Sequence, residues 1–276
     1  MTPYPPQWLE VVRRPRARAW TLPYGADEPL VPWIAPPVPP RLEEIVMREG
    51  IRREFEPGEY IYPAGMPLNI LTVITEGVAG RTFGSLYNQQ KQGMALAIPH
   101  RVCAGNHTFF SERPGNGRYF AVSPVKAVSL PNRRIKELMR EDLELRELVE
   151  VQCECCIQSD RMGLGSIAVL PVMERLKLYF ISWGLAYGRL VHEDGTEWLR
   201  YPAILPQTQI MRVIVVSLSQ IRRAFAELRE DGSLVTEGAA LILQARALDD
   251  TWRWMRNNEE PICAKPRPED WRELLT

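Results

Sequence analysis

Short segments of β-branched and aromatic residues dominate residues 42–130, and glycine, proline and asparagine separate them. The segments recur at intervals of about 8 to 12 residues, which is typical of an antiparallel sandwich or barrel. The pattern therefore predicts a β domain, with strands at 59–62, 69–77, 94–98, 117–123 and 126–130.

A helical period begins after Pro131. Apolar residues then recur mostly at steps of three and four as far as Cys156, which predicts one long amphipathic helix or a short helix followed by a long one. Asn132 is the expected cap of the first part. A helix of about 25 residues has an apolar stripe to bury, and the simplest cover is the same helix of a second copy. We therefore expect a parallel homodimer.

The end of the chain returns to short elements. A second helix is predicted over 166–188, with Pro171 in its first turns, and a short strand pair follows at 197–205. A helix over 207–213, a turn near Val215 and a helix capped by Ser217 then form a helix-turn-helix.

Asp231 and Gly232 end this helix-turn-helix before a predicted wing. The apolar spacing predicts its internal core: Ile210, Val213, Ile221, Phe225 and Leu228. The same spacing turns a polar set outward: Ser219, Gln220, Arg222 and Arg223.

Charge narrows the choice of partners. The 34 basic and 34 acidic residues cancel, so no global field steers the chain to a polyanion, and a nucleic acid would have to meet a local patch. Arg200, Arg212, Arg222 and Arg223 form one, because no acid occurs between Arg200 and Ala226. Such a patch can contact phosphates; the alternative is a solvated helix face.

Two stretches, FEPGEYIYPAGMPLNILTVITEGVAG at 55–80 and LPQTQIMRVIVVSLSQIRRAFAELREDGSL at 205–234, resemble known motifs. The first resembles the opening strands of the cyclic-nucleotide-binding-like barrel. The second is similar, without a gap, to the winged helix-turn-helix of the Crp/Fnr transcription regulators. The resemblance implies an α+β chain with an N-terminal antiparallel β jelly-roll barrel, a long dimerisation helix and a C-terminal winged helix-turn-helix.

The resemblance also divides the chain. The implied segments are a Pro-rich arm at 1–41, the barrel sensor at 42–130, the dimerisation helix at 131–165, the winged helix-turn-helix at 166–245 and an extension at 246–276. Residues of the first segment carry eleven prolines, a density that argues against helix and for extended backbone. The arm is expected to lie on the surface or to reach a partner subunit. Trp252, Trp254 and Trp271 suggest that the extension packs back on the body.

The resemblance implies a cytoplasmic regulator whose dimer places its second helices in successive major grooves of a palindromic double-stranded DNA site, under allosteric control from the barrel. RNA polymerase is a further expected partner, and no membrane is. Arg223 falls on the family's helix arginine and can donate to guanine O6 and N7. Val215, Leu218 and Ser219 depart from the family's Gly, Arg and Glu, so we expect a different operator. The expected DNA-binding residues are Arg200, Gln207, Arg212, Ser217, Leu218, Ser219, Gln220, Arg222 and Arg223.

The family's cyclic-nucleotide cassette matches Gly105, Asn106, Arg118 and Tyr119. Asn106 replaces the glutamate that takes the ribose hydroxyl, and Tyr119 replaces a serine at the phosphate. We therefore expect no tight binding of cyclic AMP and an unidentified small-molecule effector at these four positions. No feature of the sequence requires a cofactor, and none can be identified from it.

His100, Cys103 and His107 lie within eight residues and are candidate metal or haem ligands; a structural role is the alternative. The five cysteines, at 103, 153, 155, 156 and 263, fit a reducing compartment better than a disulfide framework. Cys153 and Cys156 share a helix face, so the interpretations are a redox pair across the dimer or apolar packing.

Two other classes of function stay open. A cupin-like barrel enzyme would need closely placed histidines on barrel strands, and only His100 and His107 lie there. A sensing module for a small molecule, haem or redox signal that has lost DNA binding is the other alternative, which Val215 at the turn favours and the arginines oppose. We therefore expect the chain to be a transcription regulator and not an enzyme.

Overall fold

The computed structural model describes residues 4–22, 25–27, 29–63, 65–84, 92–114, 117–238, 240–259 and 267–275. The chain forms two compact units, Ala17–Leu164 and Met1–Arg16 with Gly165–Thr276. We call them the barrel unit and the C-terminal unit. The division into five segments is finer than this and stays a prediction.

Two four-stranded antiparallel sheets make up the barrel unit, in the orders β3-β10-β5-β8 and β4-β9-β6-β7, beside a small hairpin of β1 and β2. The strands are β1 Trp20–Thr21, β2 Gly25–Ala26, β3 Ile51–Phe55, β4 Tyr60–Tyr62, β5 Ile70–Glu76, β6 Ala79–Gly84, β7 Gln92–Ala97, β8 Arg101–Ala104, β9 Arg118–Ala121 and β10 Val125–Pro131. The predicted β domain is thus confirmed.

Within residues 42–130, three strands were not predicted from the sequence pattern, for identifiable reasons. The first four residues of β3 are exposed and mostly charged, β6 contains glycine, and β8 is buried at all its positions. None of these segments alternates between apolar and polar residues, so none carries the two-residue period by which a half-buried strand is recognised.

Tight turns between strands require glycine at two places. Gly77 and Gly105 have φ of +79° and +89°, in the left-handed region. A Cβ atom would lie 1.9 Å from the Pro124 carbonyl oxygen at the first position and 2.0 Å from the Ile70 carbonyl oxygen at the second. Only glycine fits these sites.

Apolar residues of the barrel unit form two clusters. One, which includes Phe55, Ile74 and Tyr119, fills the space between the two sheets. The other packs the outer face of β5 and β10, through Val73 and Val128, against three helices. These helices are α2 Pro40–Glu49, α3 Asn132–Glu141 and α4 Leu143–Val169.

The helices after the barrel follow the second of the two predicted arrangements, a short helix and then a long one. The proposed cap is wrong: Pro131 is the N-cap of α3, and Asn132 is a buried first-turn residue. Its Nδ2 donates to the carbonyl oxygens of Leu68 and Gly105, both at 3.4 Å. The amide therefore ties α3 to the barrel loops instead of satisfying the helix end.

The Pro-rich arm is not wholly extended, which corrects the prediction. Residues Pro6–Val12 form α1, and α2 also begins on a proline. Proline is tolerated in the first helical turn, where an N–H group would have no intrahelical partner. The prolines at the start of α1 and α2 are therefore compatible with helix.

The middle of the arm belongs to the barrel unit. The Ala35 N–H donates to the Leu96 carbonyl at 2.9 Å. The Ser159 hydroxyl of α4 reaches the carbonyl oxygens of Val31 and Ile34 at 2.6 and 2.9 Å. The arm is therefore hydrogen bonded to both β7 and α4.

The C-terminal unit combines five helices, α1 and α5 to α8, with a four-stranded antiparallel sheet of order β11-β12-β14-β13. After α1 its elements are α5 Val172–Tyr187, β11 Arg189–Glu193, β12 Thr196–Tyr201, α6 Gln207–Val213, α7 Leu218–Glu230, β13 Leu234–Glu237, β14 Ala240–Gln244 and α8 Asp249–Glu259, with short 3-10 turns at Ala245–Leu248 and Trp271–Leu275. No described helix is both long and apolar enough to cross a membrane.

Pro171 marks a boundary that the sequence placed differently. It is the N-cap of α5 rather than a residue of its first turns, and Ser166 to Val169 are the end of α4. Proline disfavours helical backbone in the residue before it, so the chain breaks at Leu170.

Described segments near both ends of the chain pack in this unit. Trp8 of α1 donates from Nε1 to the Ile204 carbonyl at 2.8 Å. Trp252 and Trp271 are buried, and Arg272 pairs with Glu197 of β12. The extension after residue 245 therefore packs back on the body, as its tryptophans indicated.

Candidate nucleic-acid interface and effector cavity

The helix-turn-helix consists of α6 and α7, and its internal core is as predicted. Ile210, Val213, Ile221, Phe225 and Leu228 are each at most 3% exposed. On α7 these residues follow the three- and four-residue steps of one helix face. The opposite face is left to solvent.

The turn between the two helices holds a strained residue. Val215 has φ of +54°, a conformation that is unfavourable for a β-branched side chain. Arg175 of α5 supports it, since its Nη1 donates to the carbonyl oxygens of Ile214 at 2.8 Å and Val215 at 3.1 Å. Burial lowers the pKa of Arg175 from its ordinary value.

Sequence reasoning missed Arg175. It lies about 40 residues before the turn that it supports, and nothing in its own neighbourhood marks it. Only the position of α5 within the unit brings the guanidinium to these carbonyls.

Ser217 caps α7 through a complete capping box. Its hydroxyl accepts from the Gln220 N–H at 3.2 Å, and its own N–H donates to Gln220 Oε1 at 2.9 Å. The cap fixes where α7 begins. It also commits the Gln220 carbonyl oxygen, so that only the NH₂ group of this side chain remains to contact a nucleic acid.

The exposed face of α7 carries the predicted outward residues Ser219, Gln220, Arg222 and Arg223. Arg223 pairs with Glu227 at 2.8 Å, but 83% of its side chain is exposed. An exposed pair of this kind contributes little, and so Arg223 can exchange Glu227 for another acceptor. Leu218 is half-buried at the start of the helix.

The other predicted DNA contacts are less uniform. Arg212 is exposed and Gln207 is half-buried. Arg200 of β12 forms an ion pair with Glu237 of the wing strand β13 at 3.0 Å. No acid occurs between Arg200 and Ala226 in the sequence, but Glu227 pairs with Arg223 and Glu237 pairs with Arg200 in the structure. The arginine patch is therefore not free of acids in space.

A small cavity, with room for about one water molecule, lies in the barrel unit between β6, β7, β8 and α4. Its apolar walls include Ala35, Leu96 and Val102. Its other lining residues are Arg81, Cys103, Asn106, His107, Cys156 and Asp160. Asp160 of the long helix α4 and Arg81 of the barrel strand β6 meet at this cavity.

The buried Arg81 and the half-buried His107 and Asp160 form a cluster at this cavity. Arg81 Nη2 bonds Asp160 Oδ2, and Arg81 Nη1 donates to His107 Nε2 at 2.8 Å. Burial and the Arg81 charge lower the pKa of His107 to about 3, so the ring is neutral at pH 7. Burial raises the pKa of Asp160 despite the Arg81 pairing.

The four residues of the cyclic-nucleotide cassette do not meet in this cavity. Asn106 lines it, whereas Gly105 occupies a tight turn. Tyr119 lies opposite Arg81 in the β6–β9 register, and Arg118 lies opposite Thr82. Because neighbouring strand residues point to opposite faces, the Arg118 side chain faces away from Arg81. Arg118 does not line this cavity, and its place at an effector site stays a prediction.

His100, Cys103 and His107 do not converge either, which corrects the metal hypothesis. His100 bonds Glu43 through Nδ1 at 2.7 Å on the outside of the barrel unit. Burial raises the pKa of the Cys103 thiol to about 12. Within the described ranges no group of three or more His, Cys, Asp or Glu residues is placed to hold a metal ion.

The cysteines of α4 pack inside their own chain. Cys153 and Cys156 are 7% and 2% exposed, against the barrel, and burial raises the pKa of both thiols. A redox pair across a dimer is therefore wrong for this face, and apolar packing is the better interpretation. Cys155 is half-buried, and Cys263 lies outside the described residues.

Comparison with solved structures gives many similar folds at low sequence identity. FixK2 of Bradyrhizobium japonicum is 14% identical, with a TM-score of 0.60 over 74% of this chain and 96% of that chain. The c-di-GMP-responsive global regulator CLP of Xanthomonas campestris is 14% identical, with a TM-score of 0.57 over 74% and 97%. A CRP/FNR family transcriptional regulator of Thermus thermophilus, TTHA1359, is 14% identical, with a TM-score of 0.52 over 74% and 97%. No protein-family model and no curated protein matches the sequence.

Proposed function

Because the chain has the fold of the Crp/Fnr transcription regulators, we propose that it is a sequence-specific DNA-binding transcription regulator of this type, acting in the cytoplasm and not as an enzyme. The observation that carries the proposal is the exposed face of α7, where Ser219, Gln220, Arg222 and Arg223 stand opposite a fully apolar buried face. A helix with such a face is suited to the major groove.

Each exposed side chain suits a different part of a duplex. The Arg223 guanidinium can donate to guanine O6 and N7 once Glu227 is released. Arg212 and Arg222 form no ion pair within the described part of the chain, and they suit phosphates. The Gln220 NH₂ group can donate to a base or a phosphate, and Leu218 can contact a thymine methyl group.

A second copy would complete the DNA-binding assembly. On α4, one stripe of positions at alternating steps of four and three is exposed throughout: Leu143, Glu147, Glu150, Glu154, Ile157, Arg161, Leu164 and Ala168. This is the spacing of a coiled-coil seam. Its first half is acidic and its second half contains Ile157 and Leu164, so a parallel pair of helices would contact mainly from residue 157 onward. The two α7 helices would then read a palindromic site.

Control would pass from the barrel through α4 to the helix-turn-helix. Asp160 of α4 is bonded to Arg81 of the barrel, so a signal that changes the barrel around Arg81 can alter the helix directly. RNA polymerase is the expected partner of the DNA-bound dimer. The module without DNA binding loses its main support, because Arg175 stabilises the turn at Val215.

The test is selection from random duplex DNA. The wild-type chain should enrich a two-fold symmetric motif, Arg223→Ala should lose or relax the motif at one position of each half-site, and Arg253→Ala on α8 should retain it. Enrichment of no motif by the wild type, with and without cell extract, would contradict the proposal. An unchanged motif with Arg223→Ala would contradict the assignment of this residue.

A further inference from the structure

The first two turns of α7 determine which bases this protein can distinguish. The N-terminal turns of a recognition helix are the part that contacts base edges in the major groove. In α7 these turns carry the half-buried Leu218 and the exposed Ser219, Gln220, Arg222 and Arg223. We call these five residues the reading face. None of them is acidic, so the bases that they can select depend on the hydrogen-bonding groups that they leave free.

The amide oxygen of the reading face is already used. Gln220 Oε1 accepts the Ser217 N–H at 2.9 Å in the capping box. Exchange of this bond for a base would take the partner from that N–H and weaken the cap of α7. Gln220 is therefore held as a donor, and it cannot form the two-bond contact to adenine N6 and N7, which needs both atoms of the amide.

The other side chains supply donors and an apolar surface, but no selective acceptor. Both arginines carry only N–H donors. The Ser219 hydroxyl lies 2.9 Å from the Ser217 hydroxyl, and a hydroxyl can donate or accept, so it does not select between bases. The first carboxylate of the helix is Glu227, more than two turns from its start, where it accepts from Arg223 Nε.

The four bases differ in the major groove in the same groups. Guanine presents the acceptors N7 and O6, and thymine presents the acceptor O4 and a methyl group. Cytosine presents an N4 amino donor, and adenine differs from guanine by its N6 amino donor. A surface of donors with one apolar side chain matches guanine and thymine, and it offers no partner to the amino groups of adenine and cytosine.

We propose that α7 reads its half-site through guanine and thymine alone, with Arg223 on a guanine and Leu218 on the methyl group of a thymine. No contact of the reading face distinguishes the amino group of adenine or cytosine. This choice of bases rests on the proposed function, which places α7 in the major groove. Position 219 decides it, because a glutamate there would accept the N4 amino group of a cytosine.

The test is competition binding of the full chain to a duplex that carries the symmetric motif, with one chemical group removed at a time in both half-sites. Removal of guanine N7, with 7-deazaguanine, or of a thymine methyl group, with uracil, should weaken binding about threefold or more at one position each. Removal of an amino group, with purine for adenine or 2-pyrimidinone for cytosine, should change binding by less than about twofold at every position. The same replacements outside the half-sites are the controls.

A variant that supplies the missing acceptor tests the role of position 219. Ser219→Glu changes an exposed side chain and leaves the Ser217–Gln220 cap in place. It should select one cytosine in each half-site, and 2-pyrimidinone at that cytosine should weaken its binding about threefold or more. Thr208→Glu adds the same charge at an exposed position of α6, and it should weaken binding without selecting a base.

An amino group whose removal weakens wild-type binding threefold or more would overturn the inference and leave DNA binding intact, as would unchanged binding after replacement of every guanine by 7-deazaguanine. The absence of a new cytosine preference in Ser219→Glu would also overturn it. Failure of the wild type to bind any duplex would contradict the proposed function as well, so the two failures are distinguishable.

Discussion

At the scale of single residues, the turn of the helix-turn-helix shows what a sequence can and cannot indicate. The sequence marks Val215 as unusual, because glycine is typical there. It gives no sign of Arg175, which supports the turn from α5. The residue types of a site are visible in one dimension, but partners distant in the chain depend on the packing of elements.

Replacement of Val215 by glycine should stabilise the C-terminal unit. A β-branched residue in the left-handed region costs about 1–2 kcal/mol, and the greater freedom of glycine in the unfolded chain returns roughly half of this. We expect a net gain of up to about 1 kcal/mol, measured by urea unfolding. Val216→Gly is the matched control and should destabilise, since Val216 is not in the left-handed region. Equal destabilisation by both variants would contradict the strain at Val215.

Replacement of His107 by glutamine should change how stability depends on pH. The folded-state pKa of His107 is about 3, below the value of about 6.5 in the unfolded chain. The unfolded state therefore takes up the proton first, and the wild type loses stability as pH falls from about 6.5 toward 3. The glutamine variant lacks this contribution.

The difference in melting temperature, His107→Gln minus the wild type, should therefore rise steadily as the pH falls from 7 to 4. Asp160, whose pKa is raised, is present in both proteins, as are Arg81, Tyr119 and the buried thiols around the cluster. A difference in melting temperature that does not change with pH would show that the ring is not held neutral by its surroundings.

At the scale of elements, α4 was predicted as an amphipathic helix, but its faces could not be assigned from the sequence. Apolar residues occur on more than one side of it. Leu145, Val149 and Cys153 are buried against their own barrel, whereas Ile157 and Leu164 are each 50% exposed. The periodicity identifies a helix, and only the barrel shows which stripe is left for a partner.

A charge in the exposed stripe should therefore separate the dimer. Ile157→Asp and Leu164→Asp would each bury a carboxylate in both copies of the proposed seam, at a cost of several kcal/mol per dimer. We expect each variant to be a monomer at micromolar concentrations by sedimentation, where the wild type should be a dimer. Ile51→Asp places a charge at another exposed apolar position, on β3, and should remain dimeric. A wild-type monomer would contradict the seam at once.

At the scale of the whole molecule, the order of zones was predictable and the path of the N-terminal arm was not. The order of strands, long helix and helix-turn-helix could be predicted from the changes of hydrophobic period along the chain and from the resemblance to the Crp/Fnr regulators. The arm has no period, and its prolines indicate extended chain. Yet its first part forms α1 in the C-terminal unit and its middle part joins the barrel unit, because hydrogen bonds to distant carbonyls decide its path.

The net charge of zero likewise gives no sign of the local basic surface on α7. The central claim is that the exposed arginines of this helix bind a DNA duplex. The most direct measurement is the salt dependence of binding to a fluorescent random-sequence duplex, by anisotropy. The wild type should show a steep linear fall of log affinity with log salt concentration, and Arg222→Gln with Arg223→Gln should reduce the slope by about 2, because each arginine would neutralise one phosphate. Arg253→Gln should leave the slope unchanged. No binding at about 50 mM salt, or a slope that the Arg222 and Arg223 changes do not alter, would contradict the account.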